Sequence, residues 1–247
     1  MKKNNPLNEI DLHVHSVVSG HAANTIYELA REASRKNLKL IAITDHGPSL
    51  DGGPDKSYFW LAVKVPLFLY KTQILMGCEA NIALNGSIDL DKNFCEMQDI
   101  IIAGIHDVPT YPKNTSVRQN TNAIIKCMKN KYVDIITHPY RESFPVDVKA
   151  IVKASIENNV LLEVNDSIFR LEHTSKTIKN TQKMVDMLKS YSRKFVINSD
   201  THIANELGLK QNAMNALNIN HNLVMTHKDI LKFLLEKRYR PKLKCKN

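Results

Sequence analysis

Two histidines alternate with apolar residues in Asp11-Leu12-His13-Val14-His15, so both imidazoles leave one face of an extended segment. Such a pair offers two borderline-soft nitrogens from one short stretch, a moderately specific signal for a divalent metal. Further groups of the same chemistry recur: His46 in Thr44-Asp45-His46-Gly47, Glu79 in Gly77-Cys78-Glu79-Ala80-Asn81, then His106, His138, and Asp200 with His202 in Asn198-Ser199-Asp200-Thr201-His202. Imidazole and carboxylate without thiolate suit zinc, and also manganese or iron. Singly, each residue has a plainer reading: His106 as a hydrogen-bonded core or loop residue, Glu79 as a rim carboxylate, Asp45 and Asp200 as helix N-caps. Their joint placement is harder to explain that way.

The elements that must position them repeat one unit, a short β-branched run followed by an amphipathic stretch. Strands are expected at 9–15, 38–44, 73–80, 99–105, 133–137, 160–165 and 194–199, with a weaker one at 223–226. Helices are expected at about 24–37, 115–130, from near Asp147, at about 175–190 and at 228–237, and a hairpin at Asn85-Gly86. Seven or eight βα units in 247 residues suggest an α/β fold, a parallel barrel of TIM-like type rather than an open sheet. In such a barrel His13 and His15 would point inward, and Leu12 and Val14 toward the helices. Active sites of these barrels lie at the C-terminal strand ends. Six of the seven strands deliver a metal-type side chain to that rim. His173, His221 and His227 miss it and read as surface residues.

The 34 basic residues outnumber the 25 acidic ones, a net of +9, which invites a nucleic-acid or membrane-surface partner. Position weakens that reading. Lys2, Lys3, Lys237, Arg238, Arg240, Lys242, Lys244 and Lys246 sit at the two ends; without them residues 9–236 carry 26 bases against 25 acids. The excess is therefore assigned to short, mobile ends at 1–8 and 237–247 around a single domain. No signal-peptide core and no run approaching ~18 apolar residues is present. The four cysteines form no CxxC pair, so cytoplasmic residence is expected.

Six ordered motifs, Asp11-Leu12-His13-Val14-His15, Thr44-Asp45-His46-Gly47, Gly77-Cys78-Glu79-Ala80-Asn81, Ala103-Gly104-Ile105-His106, Thr137-His138-Pro139 and Ser199-Asp200-Thr201-His202, resemble the PHP (polymerase and histidinol phosphatase) family. Among its branches the chain is most similar to stand-alone bacterial phosphatases with a trinuclear zinc centre, and the likeness spans roughly 9–240. The resemblance implies a distorted (β/α)₇ barrel. It also implies three metals: one on His13, His15, Glu79 and Asp200, a second sharing Glu79 and adding His106 and His138, and a third on His21, His46 and His202. Cys78 alternates to the opposite strand face and is not counted among them.

Three such metals would activate a hydroxide for attack on a phosphate ester, with Glu79, Asp200 and Asp45 as the catalytic carboxylates. Asp45 has two readings, an N-cap or a carboxylate that orients a ligand histidine. Arg141 and Arg118 are candidates for substrate contact, Asn165 and Ser167 for lining the site, and Tyr140 for narrowing it. The expected activity is a zinc-dependent phosphomonoesterase acting on a small phosphorylated molecule. The rivals are a nuclease or phosphodiesterase, a regulatory module stabilised by metal without turnover, and a C–N hydrolase. No membrane partner is expected, nucleic acid is not favoured, and oligomeric state is unreadable.

Overall fold

A computed structural model describes residues 9–170, 174–238, 240 and 243. Seven parallel strands, β1 (Ile10–Val14), β2 (Leu40–Ile43), β4 (Thr72–Asn81), β5 (Ile100–Gly104), β6 (Ile135–Ile136), β7 (Leu161–Asn165) and β8 (Val196–Asn198), pair in chain order. The two-residue β3 (Phe68–Leu69) runs antiparallel to β4 at the edge. The ring closes at its upper rim, where Val14 bridges Thr201; His15 N–H donates to Thr201 O at 2.9 Å and Thr201 N–H to His13 O at 3.2 Å. The result is the α/β, TIM-like barrel expected from the repeating units.

Helices α1 (Ile26–Arg35), α2 (Lys92–Met97), α3 (Val117–Met128), α4 (Val148–Glu157), α5 (Ser175–Ser190) and α6 (Gln211–Ala216) follow or precede these strands, and α7 (His227–Lys237) ends the described helices. Their starts are written locally. Thr25 with Glu28, Ser116 with Gln119, and Thr226 with Asp229 form capping boxes, each satisfying backbone donors that a helix start leaves unpaired. In α1 the spacing of Leu29, Ala30 and Ala33 buries one face against Ile41, Ile43, Ile74 and Met76. Full burial of such an aliphatic side chain contributes about 1.5–3 kcal/mol.

Apolar residues from all seven parallel strands, among them Ile10, Leu40, Leu75, Ile102, Leu161 and Val196, form one cluster with Ile230, Phe233 and Leu234 of α7. Only the barrel interior can collect residues from every strand, so α7 caps its floor. Leu12 belongs to this inner cluster, contrary to the expectation that it faces the helices. The cause is a bulge: Asp11 pairs with Ile41 but Val14 with Ile43. Three steps on β1 match two on β2, so Leu12 and His13 both turn inward. Val14 still faces α1, and the His13/His15 pairing across it survives.

Two further expectations change. The run at 223–226 forms no barrel strand; only Val224 bridges Phe195. The basic C-terminal end is in part built into the floor: Arg240 is 1% exposed, donates from Nε to Asp99 O and from Nη2 to Asp134 Oδ1, both at 2.6 Å. Arg238 Nη2 lies 3.6 Å from Asp134 Oδ2, and Lys237 Nζ donates to the carbonyls of Val133 and Asn159. Buried Asp134 thus collects the charge that composition alone assigns to a solvated tail. Residues 1–8 and 244–247 lie outside the described residues, as do His173 and Cys245. The expected turn at Asn85-Gly86 exists, with Gly86 at φ 87° and one bridge from Ile82 to Ile88.

Candidate metal centre

The strand alternation that lays the apolar floor carries the inward positions upward into polar residues. Above Leu75 stands Glu79, above Ile135 Thr137, above Leu161 first Glu163 and then Asn165, and above Val196 Asn198. Gly104, the matching position on β5, has no side chain to spare: a Cβ there would sit 2.4 Å from Thr137 Oγ1 and 3.0–3.1 Å from the rings of His138 and His106. The rim loops then add His21, His46, His106, His138, Asp200 and His202. His21 is presented by a 3-10 turn over Val17–Ser19 that Gly20 closes at φ 83°, a conformation costly for other residues. His138 at φ 29° and Asp200 at φ 54° also hold left-handed backbone, strain of about 1–3 kcal/mol each that the surrounding contacts must offset.

All nine expected donors converge. Glu79 is the hub: its Oε1 lies 3.2 Å from His13 Nε2 and 3.1 Å from both His106 Nε2 and His138 Nε2, and its Oε2 lies 2.9 Å from His46 Nδ1 and 3.5 Å from His15 Nε2. Asp200 Oδ1 stands 3.3 Å from Nε2 of both His13 and His15. His21 and His202 meet Nε2 to Nε2 at 3.0 Å. Three triads have donor atoms close enough to hold an ion: His13 with His15 and Asp200, His46 with Glu79 and His106, and His15 with His46 and His202. His15 and His46 are therefore each shared between two groups, while His21 and His138, expected in the third and second, fall in none of the three triads.

The donor set fits cations by a specific observation. His13 Nε2, His15 Nε2 and His46 Nδ1 are buried without a hydrogen-bond partner, whereas buried polar atoms are ordinarily satisfied. For two of these rings the opposite nitrogen is tied down, His13 Nδ1 to Glu163 Oε1 at 2.8 Å and His15 Nδ1 to Ser19 Oγ at 3.0 Å; His106 Nδ1 is likewise held, by Asn81 Oδ1 at 2.7 Å. Such outer contacts select the tautomer that leaves the facing nitrogen bare. Burial works to raise the Glu79 carboxyl, but His13, His106 and His46 hold it well below the usual range. Burial likewise opposes Asp200, and His13 and His15 hold it low. Burial pushes His15 well down, and burial with Arg141 brings His138 to about 4.

The remaining predicted residues divide. Asp45 caps no helix; its carboxylate accepts from Ser16, Ser19 and Tyr58 and meets His15 only through Ser19. It is fully buried and touches neither the cavity that Arg141 lines nor a helix start. Arg141 lines a cavity of about 600 Å³ with Ser167, Arg170, Asp200, His202 and Glu206, its Nη2 3.6 Å from Asp200 Oδ2. Arg118 does not reach it and lies exposed on the first turn of α3. Tyr140 does not narrow the cavity: it is buried in the outer core, where its hydroxyl accepts from Asn165 N–H at 2.7 Å. Asn165 Nδ2 donates to Asp200 Oδ2 at 3.0 Å. Cys78 packs in the outer core. His221 is exposed, but His227 is half-buried, its Nε2 3.1 Å from Gln73 Oε1 beside the floor.

Sequence reasoning missed Glu163, Ser19, Tyr58, Asn81 and Asn198. Glu163 had a readable signal, a carboxylate inside the apolar run Val160-Leu161-Leu162-Glu163-Val164, where an unpaired charge would be costly. Tyr58 had none: it lies on a 3-10 helix, Lys56–Val63, between β2 and β3, and nothing in its spacing points to the loop after β1.

Sequence and fold comparisons agree with this geometry. A probable phosphatase of Clostridium botulinum (strain Hall) is 36% identical over 234 residues, 92% of this chain and 95% of its own length. One from Caldanaerobacter subterraneus subsp. tengcongensis is 38% identical over 241 residues, 94% and 92% of the two chains. Histidinol phosphate phosphatase from Lactococcus lactis, solved with zinc, L-histidinol and phosphate, matches with a TM-score of 0.58 at 17% identity, over 85% of this chain and 93% of that one. A chain of an archaeal ribonuclease P solved with mature tRNA matches at 0.53 and 14% identity, over 92% and 87%. These two structures bear on the fold alone. Residues 11–219 match the PHP domain, well over half the sequence, and the chain belongs to that family.

Proposed function

We propose that this protein is a zinc-dependent phosphatase, a single domain that hydrolyses a small phosphate monoester at a three-metal centre. The observation that carries the reading is the gathering of the nine donors, seven of them in three overlapping triads, around three buried imidazole nitrogens without partners. The long matches to relatives named as probable phosphatases support the choice of reaction. His13, His15, Glu79 and Asp200 would hold one ion, Glu79, His106 and His138 a second, and His21, His46 and His202 a third, with His46 near enough to Glu79 to be shared. Bound there, zinc ions would supply hydroxide from water near neutral pH and positive charge for the phosphoryl oxygens.

The chain's own groups do the rest. Asp200, 11% exposed at its side chain, borders the cavity, and Asn165 fixes its Oδ2. That oxygen would take the proton released when water becomes the attacking hydroxide and pass it to the departing alkoxide. The Arg141 guanidinium, about a third exposed beside Asp200, is the cation available to a phosphoryl oxygen entering the cavity. Glu79, 1% exposed, stays inside as the shared anion. Folding of Arg238 and Arg240 into the floor removes part of the basic tail that favoured a nucleic-acid substrate. The test is hydrolysis of a phosphomonoester panel beside labelled single-stranded DNA, with metal content measured on the same preparation. Phosphate release from monoesters supports the reading, and cleavage of DNA alone overturns it.

A further inference from the structure

Ser19 Oγ stands at a junction of buried groups, 2.7 Å from Asp45 Oδ1, 3.0 Å from His15 Nδ1 and 3.2 Å from the His46 backbone nitrogen. A hydroxyl has one proton to give and two lone pairs with which to accept. The His46 N–H can only donate, so it occupies one lone pair. The Asp45 carboxylate can only accept. Its Oδ1 already takes the Ser16 N–H at 2.7 Å, and its Oδ2 takes the Ser16 hydroxyl at 2.8 Å and the Tyr58 phenol.

If Ser19 turned its proton toward His15, its lone pairs would face Asp45 Oδ1 at 2.7 Å, two acceptors in contact with nothing between them. The proton therefore goes to Asp45, and the second lone pair is left for His15. His15 must then carry its own proton on Nδ1. We propose that Ser19, its single proton committed to Asp45, is the positioning residue that fixes His15 as the Nδ1–H tautomer and keeps Nε2 bare for a cation.

The consequence lies on the other side of the ring. His15 Nε2 faces Asp200 Oδ1 at 3.3 Å and Glu79 Oε2 at 3.5 Å. In the opposite tautomer that nitrogen would donate to Asp200, closing the cage on itself and removing a ligand. Tyr58 anchors the relay from the Lys56–Val63 segment, whose start is capped by Asp55 accepting from Ser57 N–H at 2.8 Å. A residue of that segment thus reaches His15 through Asp45 and Ser19.

The inference rests on reading His15 as a metal ligand, so the decisive measurement is made without metal. Long-range ¹⁵N–¹H correlation spectra of metal-free protein labelled at histidine report each tautomer, with His15→Gln assigning the signal. The wild type is expected to show His15 protonated at Nδ1. Asp45→Ala removes the acceptor that holds the Ser19 proton; Ser19 then turns its proton to His15, the tautomer moves to Nε2–H, and zinc affinity in a chelator competition falls about 10–100-fold. Ser19→Ala should do the same, while Ser19→Thr retains the hydroxyl and the wild-type tautomer. An Nε2–H signal in the wild type overturns the proposal, as does an unchanged tautomer and zinc affinity in Asp45→Ala. If Ser19→Ala or Asp45→Ala does not fold, the wild-type spectrum still decides. A wild type with the expected tautomer that binds no zinc would sink the metal reading and leave the relay standing.

Discussion

His13 Nδ1 lies 2.8 Å from Glu163 Oε1, both side chains fully buried. The contact joins β1 to β7 inside the barrel and spends one ring nitrogen on a carboxylate, so that Nε2 points at Glu79 and Asp200. Glu163 also accepts from the His138 N–H at 3.1 Å and from Asn198 Nδ2 at 2.8 Å. Glu163→Gln is expected to keep the fold and weaken zinc binding about 10–100-fold, read by chelator competition with circular dichroism as the fold control. Unaltered affinity would show that the ring is oriented without it.

Glu79 touches five imidazoles, so no other single change should do as much damage at the centre. Wild-type protein is expected to hold about three metals per chain, whereas Glu79→Ala and His15→Ala lose metal and phosphomonoester hydrolysis together. Elemental analysis alongside activity checks this. One metal per wild-type chain would refute the three-ion arrangement.

Arg141 and Arg118 separate geometry from residue type. Losing a charge-assisted contact to phosphate costs about 1.5–3 kcal/mol, so Arg141→Ala should raise KM, and weaken inhibition by inorganic phosphate, by about 10–100-fold. Metal content should not change. Arg118→Ala, on an exposed helix turn, should alter neither. Equal effects from the two variants would remove Arg141 from the site.

Arg240 has a stability role that can be weighed. Removing one partner of a buried pair typically costs about 3–5 kcal/mol because the other charge is left uncompensated. Arg240→Ala is expected to lower stability by about 3 kcal/mol in denaturant unfolding, with Arg238 near Asp134 Oδ2 limiting the loss. Zinc content of the folded fraction should be retained, since the floor lies at the opposite end of the barrel from the rim.

Lys210 supplies a pH signature. It is 2% exposed, and burial lowers its amine to about 8 despite Asp11 and Asp166. Between about pH 8 and the ordinary lysine value near 10.4, the unfolded chain holds a proton that the folded chain has released. The unfolded state then binds more protons, so stability rises with pH across that window. The gain approaches about 3 kcal/mol at its upper end. Unfolding free energies at pH 7.5 and 10 (chosen to bracket about that window) should rise more in the wild type than in Lys210→Met, where Lys237, also brought to about 8 by burial, still contributes. Parallel curves for the two proteins would contradict it.

The amino-acid sequence by itself determined the barrel class, the order of its units and the residues that gather at the rim. Those signals are local: β-branched runs, capping residues, and imidazoles or carboxylates at strand ends, whose common destination is set once the strands are parallel. Three things were decided only by tertiary structure. The bulge that turns Leu12 inward beside His13 depends on register against β2, which no single segment contains. Asp45, Ser19 and Tyr58 become one relay because a loop after β1 meets the segment Lys56–Val63 after β2, a contact set by packing and not by spacing. Arg238 and Arg240 look like a solvated tail in composition, since their partner Asp134 is about a hundred residues away. Periodicity reports which face a residue takes; it carries no information on which distant residue waits there.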